Sequence, residues 1–500
     1  LAGVGIVSGE SGAASLAGAT QLRRDTGDRV LRGDATVLLL STEGATDPAA
    51  YQEVVGRPPE AVAGRVDAPS SVMTDCNDVR EDDRMAAVDG TPRIDRDRLL
   101  DRLDALAQIG AIPGTSGCAR LALTDEDRAG RDLVVAWMRD LGLEVTIDVI
   151  GNVVAVLAGA DPSAAPVMTG SHIDTVRTGG RYDGNLGVLA GLEVLETVRS
   201  SGRTPARPLA VGFFTNEEGS RFPPDMLGSL VYAGGMPVEV ALDIVGIDGA
   251  SVGDELERIG YRGPAPCPGL VPHAFVELHI EQGPILEHEG LDIGIVTGVQ
   301  GISWTELMIV GQSNHAGTTP MSLRRDPGYV AARIATFVRD LALELGHPQV
   351  GTVGKFDLHP NLVNVVAATA TLTVDLRNTD EAVLQDAEAR LAAFVAVLAE
   401  AEGVTLTSRS LARFEPVEFA PSVVDLLEQL VEEHGLSHRR MPSGAGHDAQ
   451  MMARLCPTGM LFVPSRDGIS HNPAEHTDAE HLVAGADLLL QAMLHLAEGA

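Results

Sequence analysis

Short apolar runs of strand length recur through the middle of this chain, and stretches with helical periodicity separate several of them. The runs cover residues 143–150, 152–159, 165–170, 208–215 and 274–280. Strands that alternate with helices are typical of α/β proteins, in which helices cover a largely parallel sheet. The same pattern returns over residues 413–500, so the sequence predicts one large α/β domain formed by residues 93–300 and 413–500.

A different order of elements interrupts this domain between residues 301 and 412. Strand-like and helix-like segments follow one another there as βαββαβ, with long helical stretches at 327–346 and 381–403. This order is found in compact ferredoxin-like domains. We therefore expect a smaller ferredoxin-like domain, residues 301–412, inserted into the larger one.

The charge balance and the cysteines restrict the class of protein. The 500 residues carry 70 acidic and 37 basic side chains, a net charge of −33, which repels nucleic-acid phosphates and anionic membrane surfaces. No apolar run approaches the roughly 18 residues that a membrane-spanning helix needs. Because the four cysteines lie far apart in sequence, we expect reduced thiols in a cytoplasmic protein. They are Cys76, Cys118, Cys267 and Cys456.

Residues able to bind metal lie near the ends of the apolar strands. Residues 170–188 place His172, Asp174 and Asp183 among five glycines. Three further strands end close to the other candidates, which are Glu217, Glu218, His279 and His471. Open α/β sheets bind their ligands at the carboxyl ends of the strands. The sequence therefore predicts that these side chains meet at one edge of the sheet.

Imidazole and carboxylate ligands together suit zinc and related divalent ions, and two such ions close together share a bridging carboxylate. The predicted ligands of one ion are His172, Asp183 and His279, and those of the other are Asp183, Glu218 and His471. Asp174 is expected to orient the His172 imidazole, and Glu217 is left free as a general base. Adjacent residues on a strand face opposite sides, so the glutamate pair requires a turn.

Each of these residues has a simpler interpretation when it is taken alone. A histidine at a strand end is more often a hydrogen-bonded structural group, a glutamate pair is most often a solvated turn, and His471 before Asn-Pro fits an ordinary turn. Their conjunction favours the metal site. The histidines without carboxylate neighbours are interpreted as structural or surface residues: His273, His288, His347, His359, His434, His438, His481 and His495.

Six motifs carry a resemblance to a known family. In chain order they are GSHIDTV, GGRYDGNLGV, TNEEGSRF, ELHIEQGP, SNHAGTTPM and SHNPAEHT. Over residues 93–500 the chain resembles the hydantoinase/carbamoylase branch of the two-metal aminoacylase/carboxypeptidase superfamily. The resemblance implies a zinc-peptidase-like catalytic domain that holds two Zn, Mn, Co or Ni ions, and a ferredoxin-like lid that also forms a homodimer.

The same resemblance implies a set of substrate-binding residues. His315, Asn364 and Arg377 match lid positions that hold the substrate, and Gln282 is expected to contact it as well. Arg377 can grip a carboxylate with two hydrogen bonds and Asn364 can add another. His315 can stabilise the oxyanion that forms when the ureido carbonyl is attacked.

The predicted function is therefore a metal-dependent amidohydrolase acting on a small ureido acid. The preferred substrate is an N-carbamoyl-L-amino acid, which would yield the L-amino acid, ammonia and carbon dioxide. Allantoate is the close alternative, because both substrates place a ureido group next to a carboxylate. A metallo-aminoacylase or dipeptidase and a non-catalytic binding protein are weaker alternatives. Without the family, Arg377 is interpreted as a strand arginine paired with Asp375 or Asp380.

The first 92 residues follow a different pattern. Residues 1–57 contain GIVSGESGAASLAG and LLLSTEGATDPAAYQEVVG, and they resemble the C-terminal end of diaminopropionate ammonia-lyase, a pyridoxal-phosphate enzyme. A Schiff base needs a lysine, and the chain has a single lysine, Lys355. We therefore interpret residues 1–57 as a catalytically empty lyase-like remnant. Residues 58–92 have no sustained periodicity and are interpreted as a linker.

Overall fold

The computed structural model describes residues 92–499. The lyase-like remnant and nearly all of the predicted linker lie outside these residues, so both interpretations stay predictions. The described residues fall within one compact unit. No helix in this part of the chain is long and apolar enough to cross a membrane.

Strands and helices alternate along the described residues. The strands are β1 (Glu144–Ile147), β2 (Val153–Leu157), β3 (Val167–His172), β4 (Leu209–Phe214), β5 (Ala274–Ile280), β6 (Ile293–Val299), β7 (Gly301–Val310), β8 (Asn314–His315), β9 (Val350–His359), β10 (Val365–Val366), β11 (Thr369–Asn378), β12 (Thr405–Phe414), β13 (Val417–Glu418), β14 (His438–Ser443) and β15 (Thr458–Val463). The helices are α1 (Arg96–Ala107), α2 (Asp125–Asp140), α3 (Asn185–Ser200), α4 (Leu227–Tyr232), α5 (Val238–Leu242), α6 (Val252–Ile259), α7 (Ile285–Glu289), α8 (Pro327–Leu345), α9 (Glu381–Glu402), α10 (Pro421–Glu433), α11 (Asp448–Met452) and α12 (Ala479–Glu498). This is the mixed α/β fold that the sequence predicts.

A nine-stranded sheet forms the centre of the larger domain. Its strand order is β1-β2-β4-β3-β5-β15-β6-β13, and β14 pairs with β6. The four central strands β4, β3, β5 and β15 run parallel to one another. Their residues are almost all buried, which explains their continuous apolar composition. Parallel strands bring their carboxyl ends to a single edge of the sheet.

Helices cover opposite faces of this sheet. On β5, Glu277 accepts a hydrogen bond from the backbone N–H of Ala449 in α11. The next side chain, Leu278, packs beside Gly485 in α12. Because neighbouring side chains on a strand point to opposite faces, α11 and α12 lie on opposite sides of the sheet. Helices α3 and α10 pack against α12 on its side.

A glycine at the start of α3 brings this helix close to the end of β3. Gly184 has a φ of +66°, a left-handed conformation that glycine adopts at little cost. A Cβ at this position would lie 2.4 Å from atoms of the His172 imidazole. The glycine in the motif YDGNLGV therefore allows the helix N-terminus to approach a candidate metal ligand.

The second sheet is formed within residues 301–414, which include the segment 301–412 that the sequence predicts to be an inserted domain. Its strands follow the order β12-β7-β11-β9, all antiparallel, and the elements occur along the chain as βαββαβ. Helices α8 and α9 bury apolar side chains against this sheet, including Ile334, Val338 and Leu391. A further pair of short strands, β8 and β10, forms a separate two-stranded ribbon.

Candidate active site

The candidate metal ligands meet at the carboxyl ends of the four central parallel strands. His172 is the last residue of β3, and His279 is next to last in β5. Glu217 and Glu218 follow β4 within a turn, and His471 follows β15. The side chains of the two strand histidines and of both glutamates are buried or nearly so, whereas the side chain of His471 is 53% exposed. The sheet therefore gathers residues that lie up to 299 positions apart in the chain.

Asp183 lies between two groups of candidate ligands. Its Oδ1 is 3.6 Å from Nε2 of His172 and 3.2 Å from Nε2 of His279. Its Oδ2 is 3.3 Å from Nε2 of His471. That same imidazole nitrogen lies 3.3 Å from Oε2 of Glu218. The two oxygens of Asp183 thus face different groups, which is the arrangement of a carboxylate that bridges two ions.

The hydrogen bonds of two histidines leave the correct nitrogen available for a metal. Nδ1 of His172 lies 2.9 Å from the backbone oxygen of Asp174, and Nδ1 of His279 lies 2.9 Å from that of Ile280. Because a carbonyl oxygen only accepts, each Nδ1 carries the proton. In His279, Nε2 also accepts a hydrogen bond from the backbone N–H of Gly184. Nε2 of each ring is therefore the nitrogen that faces Asp183, and it is the nitrogen that metal ligation would use.

Burial and neighbouring charges shift the pKa values of the three carboxylates that share the site with the histidines. Burial raises the pKa of Glu218 to about 8, and the charge of Asp183 adds to this effect. Burial also raises the pKa of Glu217 well above its usual range, although His172 opposes it. Burial would raise the pKa of Asp183 too, but hydrogen bonds to His172, His279 and His471 hold it well below its usual range. Such a set of buried carboxylates and imidazoles fits divalent cations.

Asp174 makes a different contact from the predicted one. The His172 imidazole is held by the backbone carbonyl of Asp174, and the carboxylate of Asp174 faces elsewhere. Its Oδ1 accepts from the backbone N–H of Glu217 at 3.2 Å, and its Oδ2 accepts from that of Glu218 at 3.3 Å. Asp174 therefore ties down the turn that carries both glutamates, which satisfies two buried N–H groups at once.

Two loops are joined around Asp183. Oε1 of Glu475 accepts from the backbone N–H of Tyr182 at 3.0 Å and from that of Asp183 at 3.2 Å. The hydroxyl of Ser470 lies 3.1 Å from Asp183 Oδ2 and 3.0 Å from Glu475 Oε2. Gln282 donates from Nε2 to Asp183 Oδ2 at 2.9 Å. These contacts fix the carboxylate of Asp183 relative to the loop that carries His471.

The ligands line a cavity of about 280 Å³ that the inserted domain partly covers. Arg377, on β11, lies in its wall together with Trp304 and Ile302 of β7. The Arg377 guanidinium pairs with Asp375, with Nη2 2.8 Å from Oδ2, and it also donates from Nη1 to the backbone oxygen of Gly444. Arg377 thus belongs to a strand ion pair and to the cavity wall at the same time.

Two predicted substrate-binding residues do not line this cavity. His315 lies on β8, and Asn364 directly precedes β10, its antiparallel partner. The side chains of both residues are exposed. Gln282, in contrast, lines the cavity, and its Oε1 is buried without a hydrogen-bond partner among the described residues. Within one chain the structure therefore brings Gln282 and Arg377 to the metal ligands, but not His315 or Asn364.

Sequence reasoning missed two further residues in the cavity wall, His447 and Asp225. Nε2 of His447 lies 2.8 Å from the hydroxyl of Ser443, and its ring centroid lies 4.6 Å from that of His279. The segment GAGHDA, a glycine-containing loop that leads into a helix after a strand, was the signal available for His447. Asp225 follows two prolines, and no pattern in the sequence marks it.

Comparison with known proteins places this geometry in a family. A model of the peptidase family M20/M25/M40 matches residues 168–495. N-carbamoyl-L-amino-acid amidohydrolase of Rhizobium meliloti is 42% identical over 415 residues, which cover 83% of this chain and 99% of the relative. Allantoate amidohydrolase of Escherichia coli is 38% identical over 404 residues, which cover 80% of this chain and 98% of the relative.

A solved structure shows the same similarity. An amidase of the hydantoinase/carbamoylase family from Burkholderia multivorans superposes with a TM-score of 0.78 at 46% identity, covering 81% of this chain and 98% of that one. The family model, the relatives and the shared fold agree with the resemblance carried by the sequence motifs. This chain therefore belongs to the peptidase family M20/M25/M40, with hydantoinase/carbamoylase enzymes among its relatives, and it is a metal-dependent hydrolase of C–N bonds.

Proposed function

We propose that this chain hydrolyses the ureido group of an N-carbamoyl-L-amino acid, releasing the L-amino acid, ammonia and carbon dioxide. The observation that carries the proposal is the arrangement around Asp183. Two ligand groups share this carboxylate, Glu217 belongs to neither group, and Arg377 lies in the same cavity. A ureido acid has two functional groups that suit such a cavity. Its ureido carbonyl would be attacked near Glu217, and its carboxylate would be bound by Arg377.

Two divalent ions fit the donor set. His172, Asp183 and His279 would hold one ion, and Asp183, Glu218 and His471 would hold the other. Imidazole and carboxylate donors of this kind suit Zn, Mn, Co or Ni. When bound, such ions polarise a carbonyl and increase the acidity of water.

Glu217 is the residue proposed to move protons. Its Oε2 lies 3.3 Å from Nε2 of His172, so the carboxylate faces the space between the ligands without belonging to a ligand group. Because its pKa is raised, Glu217 can accept a proton from the attacking water and then release it to the nitrogen of the departing amino acid. The bond that breaks joins this nitrogen to the ureido carbon.

Arg377 retains donors for a substrate carboxylate. A guanidinium has five N–H bonds. Asp375 uses one on Nε and one on Nη2, and the backbone oxygen of Gly444 uses one on Nη1. One N–H remains on each terminal nitrogen, which is enough for a two-point contact with a carboxylate. The indole N–H of Trp304 is another buried donor in the cavity wall without a partner among the described residues.

The exposed side chains of His315 on β8 and Asn364 beside β10 support a homodimer in which each chain completes its partner's site. His315 and Asn364 carry the chemistry to bind a ureido acid, yet in their own chain they lie away from the cavity. We propose that they act in the cavity of a second copy. Co-expression of His315→Ala and Glu217→Gln chains tests this, because mixed dimers would regain one intact site. Absence of any regained activity in isolated mixed dimers would contradict the proposal.

Side-by-side kinetics test the substrate. Metal-loaded protein is assayed on N-carbamoyl-L-norleucine, allantoate and a dipeptide, with release of ammonia or amino acid as the readout. We expect the highest kcat/KM on the carbamoyl amino acid, and we expect the Glu217→Gln variant to lose this activity. Glu239→Gln, on the exposed helix α5, is the matched control. The Escherichia coli relative supports allantoate as a second candidate. A higher kcat/KM on allantoate or on the dipeptide would overturn the proposal.

A further inference from the structure

One carboxylate in the cavity has no role in the chemistry proposed above. Asp225 lies in the loop between β4 and α4, is half-buried, and lines the same cavity as the metal ligands. No side chain among the described residues donates a hydrogen bond to its carboxylate. Among the described residues, its carboxylate accepts a hydrogen bond only from its own backbone. Asp225 therefore lines the substrate space with a carboxylate to which no other described residue donates a hydrogen bond.

The backbone around Asp225 is held firmly. The next residue, Met226, donates its N–H to the backbone oxygen of Glu217 at 2.6 Å. Met226 is only 1% exposed and has a φ of +53°, a left-handed conformation that costs free energy for a residue with a side chain. A Cβ on Gly446, across the cavity wall, would lie 3.7 Å from Oδ2 of Asp225. The backbone that carries Asp225 is thus fixed, and the carboxylate lies beside the bare backbone of Gly446.

The surroundings of Asp225 compensate its charge only in part. Burial raises the pKa of its carboxyl group, and the positive charge of Arg377 opposes this shift. Arg377 is already paired with Asp375 through two nitrogens. A partly desolvated carboxylate that accepts a hydrogen bond only from its own backbone retains unused acceptor capacity. A ligand that brings its own N–H group would therefore gain a contact at this point in the cavity.

We propose that Asp225 determines substrate specificity by binding a second N–H-bearing group of the ureido acid, either a cationic side chain or a further ureido group. This inference rests on the proposed function. In an α-amino acid the carboxylate and the side chain leave the same carbon. With the carboxylate on Arg377, a substituent of that carbon lies within reach of Asp225, because both side chains line the same cavity of about 280 Å³. The further ureido group of allantoate has the same donor chemistry.

Substrates matched in length test the inference. N-carbamoyl-L-lysine and N-carbamoyl-L-norleucine differ by the terminal ammonium group, and allantoate offers neutral N–H donors. We expect the wild type to favour the lysine derivative over the norleucine derivative by roughly tenfold or more in kcat/KM. In Asp225→Asn this ratio should fall towards one. Asp243→Asn removes the same charge from the exposed end of α5 and should leave the ratio unaltered.

The possible outcomes distinguish a failure of the role proposed for Asp225 from a failure of the proposed hydrolase function. A selective loss on the lysine derivative or on allantoate, relative to norleucine, supports the role of Asp225 and identifies which donor it binds. An equal loss of kcat/KM on all three substrates would show that Asp225 acts on Arg377 or on the inserted domain. An unchanged kcat/KM on all three would show that Asp225 binds neither the side chain nor the ureido group. Either result overturns the inference while the hydrolase activity stands. Absence of turnover on every substrate would instead refute the proposed function.

Discussion

Replacing Asp174 by Asn should slow turnover without removing the first metal ligand group. The carboxylate accepts one hydrogen bond from the backbone of Glu217 and one from that of Glu218, at 3.2 and 3.3 Å. A carboxamide has one oxygen, so its NH₂ group must face one of these N–H groups. A buried donor left unsatisfied costs about 1–3 kcal/mol. If the turn moves to relieve this cost and the same free energy is lost from the transition state, kcat falls by about 5-fold to 150-fold. The backbone carbonyl of residue 174, which holds the His172 imidazole, is unaffected by the substitution.

Kinetics, metal analysis and thermal unfolding together test this prediction. We expect lower kcat, a smaller change in KM, and weaker binding of the ion that Glu218 would hold. Asp487→Asn is the matched control, because Asp487 is a buried carboxylate that accepts from the backbone N–H of Ile94 at 2.9 Å and lies outside the cavity wall. The control should lower the Tm and leave kcat unchanged. If Asp174→Asn behaves in the same way as the control, the carboxylate does not position the glutamate turn, and the reasoning is wrong.

Three other predictions concern metal, pH and substrate binding. Desalted, metal-loaded protein should contain about two ions per chain, and Asp183→Ala should lose both; full activity after exhaustive chelation would refute the two-ion mechanism. In metal-free protein the pKa of Glu218 is about 8, against about 4.3 in an unfolded chain. The folded state therefore holds a proton that the unfolded state releases, so Tm should fall as pH rises from about 5 to about 8, and a metal-free Tm that rises over this range would contradict it. Arg377→Ala should reduce kcat/KM steeply on a carbamoyl amino acid and little further on its carboxamide; equal losses would assign Arg377 a structural role.

The order of the helices and strands and the set of candidate metal ligands could both be predicted from the pattern of apolar runs in the sequence. The apolar runs mark buried parallel strands, and parallel strands deliver the residues after them to one edge. His172, Glu218 and His471 could therefore be grouped although they are distant along the chain. The βαββαβ order of the inserted domain followed from the change in periodicity near residue 301.

The contacts of individual side chains were less accessible. Whether the carboxylate of Asp174 faces the imidazole of His172 or the turn after β4 depends on backbone direction, which no periodicity encodes. Asp375 lies two residues from Arg377 on the same face of the strand, so the sequence pattern alone favours an ion pair between them. The cavity that Arg377 also lines is formed by residues distant in sequence and could not be predicted from this pattern. His315 and Asn364 were assigned by resemblance, and their distance from the cavity depends on where a separate ribbon projects.

The position of β15 in the centre of the sheet has a consequence for the biosynthesis of the protein. This strand pairs with β5 on one side and β6 on the other, yet it is the last strand to be synthesised. Until residues 458–463 emerge, the nascent chain has an open edge along β5, whereas every strand of the inserted domain is already available. Exposed edges invite pairing with other chains. The inserted domain is therefore expected to fold first, and because His471 is translated even later than β15, the proposed metal site can be completed only after residue 471 has emerged.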